Sequence, residues 1–179
     1  MLNHLWEAGP PMSDAIRGHL RDSKLFRNLS EAQLDLFLPL CRLVTVDKDA
    51  PIFQEQEEAT HLCVVGKGRV ALTMRLERPD GSVTPSVTVA SCGPGDAFGW
   101  SSIVEPRVLT LSSTTVEPSE LVFIEGQPFL TLLAKHTRLG YPVMVNIAHL
   151  LSGRLAELRE AFVYEHSWLL REKQRPETD

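Results

Sequence analysis

A chain of 179 residues, 43% apolar and 23% charged, is long enough for one well-cored domain and too short for two ordinary ones. With 11 glycines and 12 prolines the composition is globular, which excludes a disordered, collagen-like or low-complexity chain. The formal net charge of −5 argues against a dedicated nucleic-acid binder, which presents a basic face.

The N-terminal MLNHLWEAGPPM lacks the basic region and long apolar stretch of a signal peptide, and Met12 offers an alternative start. No apolar run approaches the roughly 18 residues of a membrane span, so no membrane association is expected. Ser13 is placed to cap a short helix over SDAIRGHLRDS. Ser30 with Gln33 forms a capping-box pattern opening SEAQLDLFLPLC, in which Leu34, Phe37 and Leu38 share one apolar face. From about residue 43 to 125 the chain reads as strands: LVTVDKDAPIF, HLCVVGKGRVALTMRLE, SVTVASCG, VLTLSSTTV and ELVFIEG. Turn signals separate them, among them Gly66-Lys67-Gly68, the hairpin turn Asp80-Gly81 and Pro94-Gly95-Asp96. Short strands at this spacing without long intervening helices predict an antiparallel barrel or jelly roll.

Gln127–Lys135 predicts a short helix starting near Pro128. From about Tyr141 to Lys173 the pattern is one long amphipathic helix, with Pro142 at its first helical position. Ile147, Leu151, Leu155, Leu158 and Phe162 recur at steps of 4, 4, 3 and 4, and Trp168 and Leu169 extend the stripe. A helix of about 33 residues reaches about 50 Å, more than a small barrel is wide. Part of the stripe is therefore expected to meet a second copy, giving a homodimer. The alternative is a break at Ser152-Gly153 with the helix folding back. The closing REKQRPETD is charged and expected to fray.

Three segments taken together resemble the cyclic-nucleotide-binding domain, as in bacterial catabolite-activator and Fnr-type regulators and the regulatory subunits of cyclic-nucleotide-dependent kinases. Val65-Gly66-Lys67-Gly68-Arg69-Val70 looks like the family's strand–glycine–strand segment, and Gly93-Pro94-Gly95-Asp96-Ala97-Phe98-Gly99 like the approach to its phosphate-binding cassette. The long helix after Gly140 looks like its hinge and dimer helix. Phe98-Gly99-Trp100-Ser101 and Leu139-Gly140-Tyr141 are similar to a subgroup of small prokaryotic proteins that carry this domain alone. The resemblance implies a mainly β fold with flanking helices, a jelly roll (double-stranded β-helix) with a long C-terminal dimerisation helix. It divides the chain into an extension with a short helix (1–24), the β-roll domain (25–139), the dimer helix (140–173) and a frayed tail (174–179).

In that family a glutamate just after Phe-Gly holds the ribose, and an arginine beyond the short cassette helix pairs with the cyclic phosphate. Here Trp100 stands in the glutamate's place, and an indole only donates a hydrogen bond. The reading therefore expects a pocket diverged from ordinary cyclic AMP or cyclic GMP binding. The arginine has two placements. Counting forward from Phe98-Gly99 gives Arg107; counting backward from ELVFI gives Leu109, with Thr110 in the small hydroxyl position beside it. Arg107 is either the anion ligand or a loop arginine paired with Glu105. The candidate cassette residues are Gly95, Phe98, Gly99, Trp100, Ser101, Ser102, Arg107 and Thr110. Around them the indole either stacks on a flat ligand ring or fills the space the ribose would take.

Other chemistries find little support. A cupin-like metal enzyme needs clustered imidazoles, whereas only His61 among six histidines lies in the strand region. Cys41, Cys63 and Cys92 are too dispersed for an iron–sulfur centre or a disulfide framework; they read as buried small hydrophobes in a reducing cytoplasm. The chain ends soon after the long helix, and Arg154, Arg159 and Arg171 are interleaved with Glu157, Glu160 and Glu172, so direct DNA binding is not expected. The resulting expectation is a non-enzymatic, homodimeric, ligand-sensing regulator without a metal or cofactor, its ligand a cyclic nucleotide or other small anion and its protein partner undetermined. The alternatives are a ligand-free interaction module of the same fold and, last, a metal enzyme.

Overall fold

Local signals account for the first elements. The computed structural model describes residues 13–76, 78 and 80–173, with side chains described up to residue 164. The Met12 start, the tail 174–179 and the side chains of Trp168 and Leu169 lie outside the described residues. Helix α1 spans Ser13–Asp22 and buries Ile16 and Leu20. Helix α2, Glu31–Leu34, opens on the expected capping box: the Ser30 hydroxyl accepts from Gln33 N–H while the Gln33 side chain accepts from Ser30 N–H. The helix is shorter than SEAQLDLFLPLC predicts. It ends after one turn, and Leu38–Leu40 forms a separate 3-10 turn. The proline at position 39 has no N–H to continue an α-helical ladder.

Eight strands follow: β1 Cys41–Val46, β2 Pro51–Phe53, β3 His61–Lys67, β4 Val70–Met74, β5 Val87–Cys92, β6 Ala97–Phe98, β7 Ser112–Thr115 and β8 Ser119–Glu125. They form two antiparallel four-stranded sheets, ordered β1-β8-β3-β6 and β2-β7-β4-β5. This is the predicted jelly-roll architecture. The Asp80-Gly81 turn joins β4 to β5, with the Asp80 carboxylate accepting from Ser82 N–H at 2.9 Å.

The apolar runs of β3 and β8 follow from burial on both faces of the first sheet. Side chains alternate across a strand. Leu62 and Val64 of β3 and Val122 and Ile124 of β8 therefore enter one core, shared with α1, Phe26, Phe37 and Phe129. Cys63 and Val65, with Leu121 and Phe123, enter a second core between the sheets, shared with Val70, Cys92 and Phe98. Helix α1 is tied to this layer at its polar edge. His19 Nε2 lies 3.0 Å from Glu120 Oε2, and the imidazole lies so close over Gly66 that a Cβ there would stand 2.7 Å from the ring.

Helix α3, Gly126–Lys135, is the short helix expected around Pro128, and buries Phe129 and Leu133. Helix α4 runs 37 residues, Thr137–Lys173, or about 55 Å. Two expectations about it are corrected. Pro142 lies inside the helix, because α4 starts at Thr137 directly after the α3 cap at His136. Ile147 does not belong to the outward stripe: with Leu139 and Val143 it is buried in the protomer's own core, 5% exposed. Ser152-Gly153 introduces no break.

Candidate functional site

The cassette begins where β6 pairs with β3, Cys63 opposite Phe98 and Val64 opposite Ala97. The preceding turn is held from several sides. Gly95 N–H donates to Val65 O at 2.8 Å, and Gly95 O accepts from Lys24 N–H at 3.0 Å. The Asp96 carboxylate accepts from Gly93 N–H and from Lys24 Nζ, at 2.9 and 2.6 Å. After Phe98 the chain must cross β3 closely, and Gly99 allows this. Its φ is +82°, and a Cβ would stand 2.7 Å from His61 O and 3.1 Å from the Phe53 ring. L side chains seldom adopt this conformation.

Trp100–Ile103 then forms a single 3-10 turn. Ser102 closes it: its N–H and its hydroxyl both donate to Gly99 O, at 3.0 and 2.8 Å, and the residue is buried. The half-buried Trp100 packs against the helix-side core. Beside this turn lies a cavity of about 100 Å³, lined by Phe53, Phe98, Gly99, Trp100, Leu109 and Thr110, with Leu72, Ser101, Leu111 and Ser113 completing the wall. No charged side chain lines it.

Five of the eight candidate cassette residues meet at this cavity: Phe98, Gly99, Trp100, Ser101 and Thr110. Three do not. Gly95 packs on the end of α1, where a Cβ would stand 2.9 Å from Asp22 O. Ser102 spends its hydroxyl on Gly99. Arg107 lies outside the wall, with Nη2 2.7 Å from Glu105. Its guanidinium also faces the Gln127 amide, whose oxygen accepts from Nε and Nη2 at 3.0 Å in the orientation that satisfies both groups. The physical reason lies in the backbone around residue 107 and its pairing with a distant segment. The backbone of 107–109 bonds to that of 57–59, with Ala59 N–H donating to Arg107 O and Leu109 N–H to Glu57 O. Arg107 itself has φ +58°, which breaks strand alternation, so that Leu109, 5% exposed, takes the cavity side. Of the two placements counted in the sequence, the wall holds Leu109 and Thr110.

Phe53, Leu72, Leu111 and Ser113 were not legible as site residues. Phe53 and Ser113 meet only through the β2–β7 pairing, where Ser113 Oγ accepts from Phe53 N–H at 3.1 Å. Arg107→Ala is expected to cost less than about 1 kcal/mol of stability, the range of an exposed ion pair, read as a urea midpoint. A larger loss would mean that the guanidinium braces the fold.

The thiols are buried as expected. Burial pushes Cys41 up to about 12 and Cys63 well above the ordinary thiol value. Burial raises Cys92 to about 11 against the opposing pull of the Arg154 guanidinium, which donates to its Sγ at 3.0 Å. Protonated thiols of this kind are poor nucleophiles and poor metal ligands. His61 is held below the usual imidazole range, chiefly by burial. Among the described residues no group of three or more His, Cys, Asp or Glu is placed to hold a metal ion. Nor is any helix among them long and apolar enough to cross a membrane.

Two stacked antiparallel sheets, a glycine-bounded turn between β6 and β7, and a long helix after the roll define a β-roll of the jelly-roll class with flanking helices. The family model of the cyclic nucleotide-binding domain matches residues 43–136, and the chain belongs to that family. The matched segment ends one residue before α4. Over 142 residues the chain is 28% identical to the cyclic AMP receptor protein of Thermus thermophilus, covering 77% of this chain and 60% of that protein's length. The crystal structure of Thermus thermophilus catabolite activator protein superposes with a TM-score of 0.63 at 28% identity, covering 80% of this chain and 63% of that one. A cyclic nucleotide-binding domain from Methylobacillus flagellatus shares the fold at a TM-score of 0.70 and 19% identity, covering 86% and 83%.

Proposed function

We propose that this chain is a non-enzymatic, homodimeric regulatory domain whose cassette does not accept cyclic AMP or cyclic GMP. One observation carries the reading: the cavity beside Gly99 has about 100 Å³ and an uncharged wall. Small-molecule sites begin at about 300 Å³. A cyclic phosphate entering here would lose its hydration without gaining a counter-ion, a cost of several kcal/mol. Leu109 supplies neither charge nor hydrogen bond where a cation would be needed, and Trp100 supplies no acceptor for ribose hydroxyls. Isothermal titration of the full chain with cyclic AMP and cyclic GMP is expected to give no saturable heat up to millimolar ligand. Micromolar binding of either, weakened by Trp100→Ala, would overturn the reading.

The dimer is the second part of the proposal. With Ile147 turned inward, the outward apolar residues of α4 are Met144, Ala148, Leu151, Leu155 and Leu158, at alternating steps of four and three, and Phe162 continues the spacing. A mean step of 3.5 residues is the spacing of a two-stranded coiled coil. Met144, Leu151, Leu155 and Leu158 are 45–69% exposed in the protomer, and a second copy of the same helix covers them. In this arrangement the β-rolls hang from a common stalk, and regulation works through contacts on their surfaces.

A second reading retains a ligand at the cassette. Ser101 and Thr110 bring two hydroxyls to the cavity wall, which suits a ligand much smaller than a nucleotide. Such a ligand would bias one of two cassette states.

A further inference from the structure

A space larger than the cassette cavity lies under the long helix. A groove of about 440 Å³ runs between α4 and the turn after α1, lined by Lys24, Arg27, Asn28, Asn146, His149 and Leu150, with Val145 behind. This volume falls within the range of small-molecule sites, which the cassette cavity does not reach. The groove's charge runs against the composition. In a chain of net charge −5, its wall holds Lys24 and Arg27, an imidazole, two amides and no carboxylate.

The groove is rigidly framed. Asn146 Nδ2 donates to Leu25 O and Arg27 O, at 3.0 and 2.9 Å, so α4 pins the backbone that carries Arg27. Lys24 is fixed through its N–H to Gly95 O and through Nζ to Asp96. Among the described residues the Arg27 guanidinium makes no ion pair and the His149 ring no hydrogen bond. Both residues line the groove and are exposed.

We infer that this groove is a binding site for a small phosphate monoester. Such a group carries about −1.5 to −2 charges at neutral pH with three strong acceptor oxygens. The unpaired charge of Arg27 and an imidazole donor match it, with the Lys24 ammonium, already paired to Asp96, at the rim, and the fork of Arg27 suits bidentate contact to phosphate. The occupant would touch the α4 residues Asn146, His149 and Leu150 on one side and Lys24 on the other. Lys24 holds the Gly95–Asp96 turn, so binding bears at once on the long helix and on the approach to the cassette. The inference is independent of whether the cassette takes a ligand.

The test is titration of the full chain with inorganic phosphate, then glycerol 3-phosphate, followed by the ring resonances of His149 in NMR. A saturable shift is expected, and Arg27→Ala should weaken binding at least tenfold. Arg107→Ala removes the same charge elsewhere and should change binding less than twofold. Arg27 is exposed, so its loss should leave the fold intact, which the NMR spectrum reports directly. Equal weakening by both variants, or no saturable shift, would overturn the site. A phosphoserine peptide binding more than tenfold tighter than glycerol 3-phosphate would overturn the small-molecule assignment.

Discussion

Leu155→Glu is expected to turn the proposed dimer into a monomer while leaving the β-roll as stable as before. Leu155 is the most exposed leucine of the α4 stripe, at 69%, and belongs to neither core of the protomer. In a two-stranded seam it meets its own copy near the axis. The substitution therefore places two carboxylates against each other in a desolvated position, each without a partner. A buried unpaired charge costs at least about 3 kcal/mol, roughly a hundredfold or more in dissociation constant. Sedimentation equilibrium of wild type and variant measures this. Thermal unfolding separates fold from assembly, because only a dimer gains stability with concentration. The wild-type midpoint should rise with protein concentration and the variant's should not. An unchanged dimer constant would show that the copies meet on another surface. A variant that loses the roll's cooperative unfolding would show that Leu155 packs within the protomer.

The second large effect is expected at Gly99. Gly99→Ala should destabilise the domain by about 3 kcal/mol, summed from positive-φ strain and displacement of β3. The added methyl would meet His61 O at 2.7 Å, a backbone atom in the central ladder, not the yielding end of a side chain. The strand crossing itself calls for a glycine here, because the Gly99 backbone passes so close to β3 and the Phe53 ring. Urea unfolding of the variant tests this. A loss below about 1 kcal/mol would mean that the turn relaxes easily and that the glycine serves a ligand rather than the strand crossing.

Much of the architecture was legible because its causes are local. The capping box at Ser30 and Gln33 involves residues three apart, and the structure forms both of its hydrogen bonds. Asp80-Gly81 turns the chain through its own backbone and one carboxylate. The apolar runs in β3 and β8 signalled strands, although not that one sheet would be covered on both faces.

The cassette was less legible. Its glycines and Phe98 stood in the expected order, but the choice between Arg107 and Leu109 rested on a count of residues through a loop. That count cannot see a left-handed residue. Arg107 at φ +58° and the pairing of 107–109 with 57–59 decide which side chain faces the cavity. Partners so distant along the chain leave no mark on the local pattern.

The long helix shows the same division. Its existence follows from composition and periodicity, since a stretch of helix formers with apolar residues every three or four positions has few other stable forms. Its two apolar faces do not. Ile147 and Leu151 are one turn apart and equally apolar, yet one is 5% exposed and the other 45%. The sequence by itself determined that β-roll and helix would form and the order in which the glycines and Phe98 of the cassette follow one another. Only the tertiary structure decided which side chains meet, because the docking of α4 on α3 and Leu25, and the strand register around Leu109, arise from contacts between segments far apart in the chain.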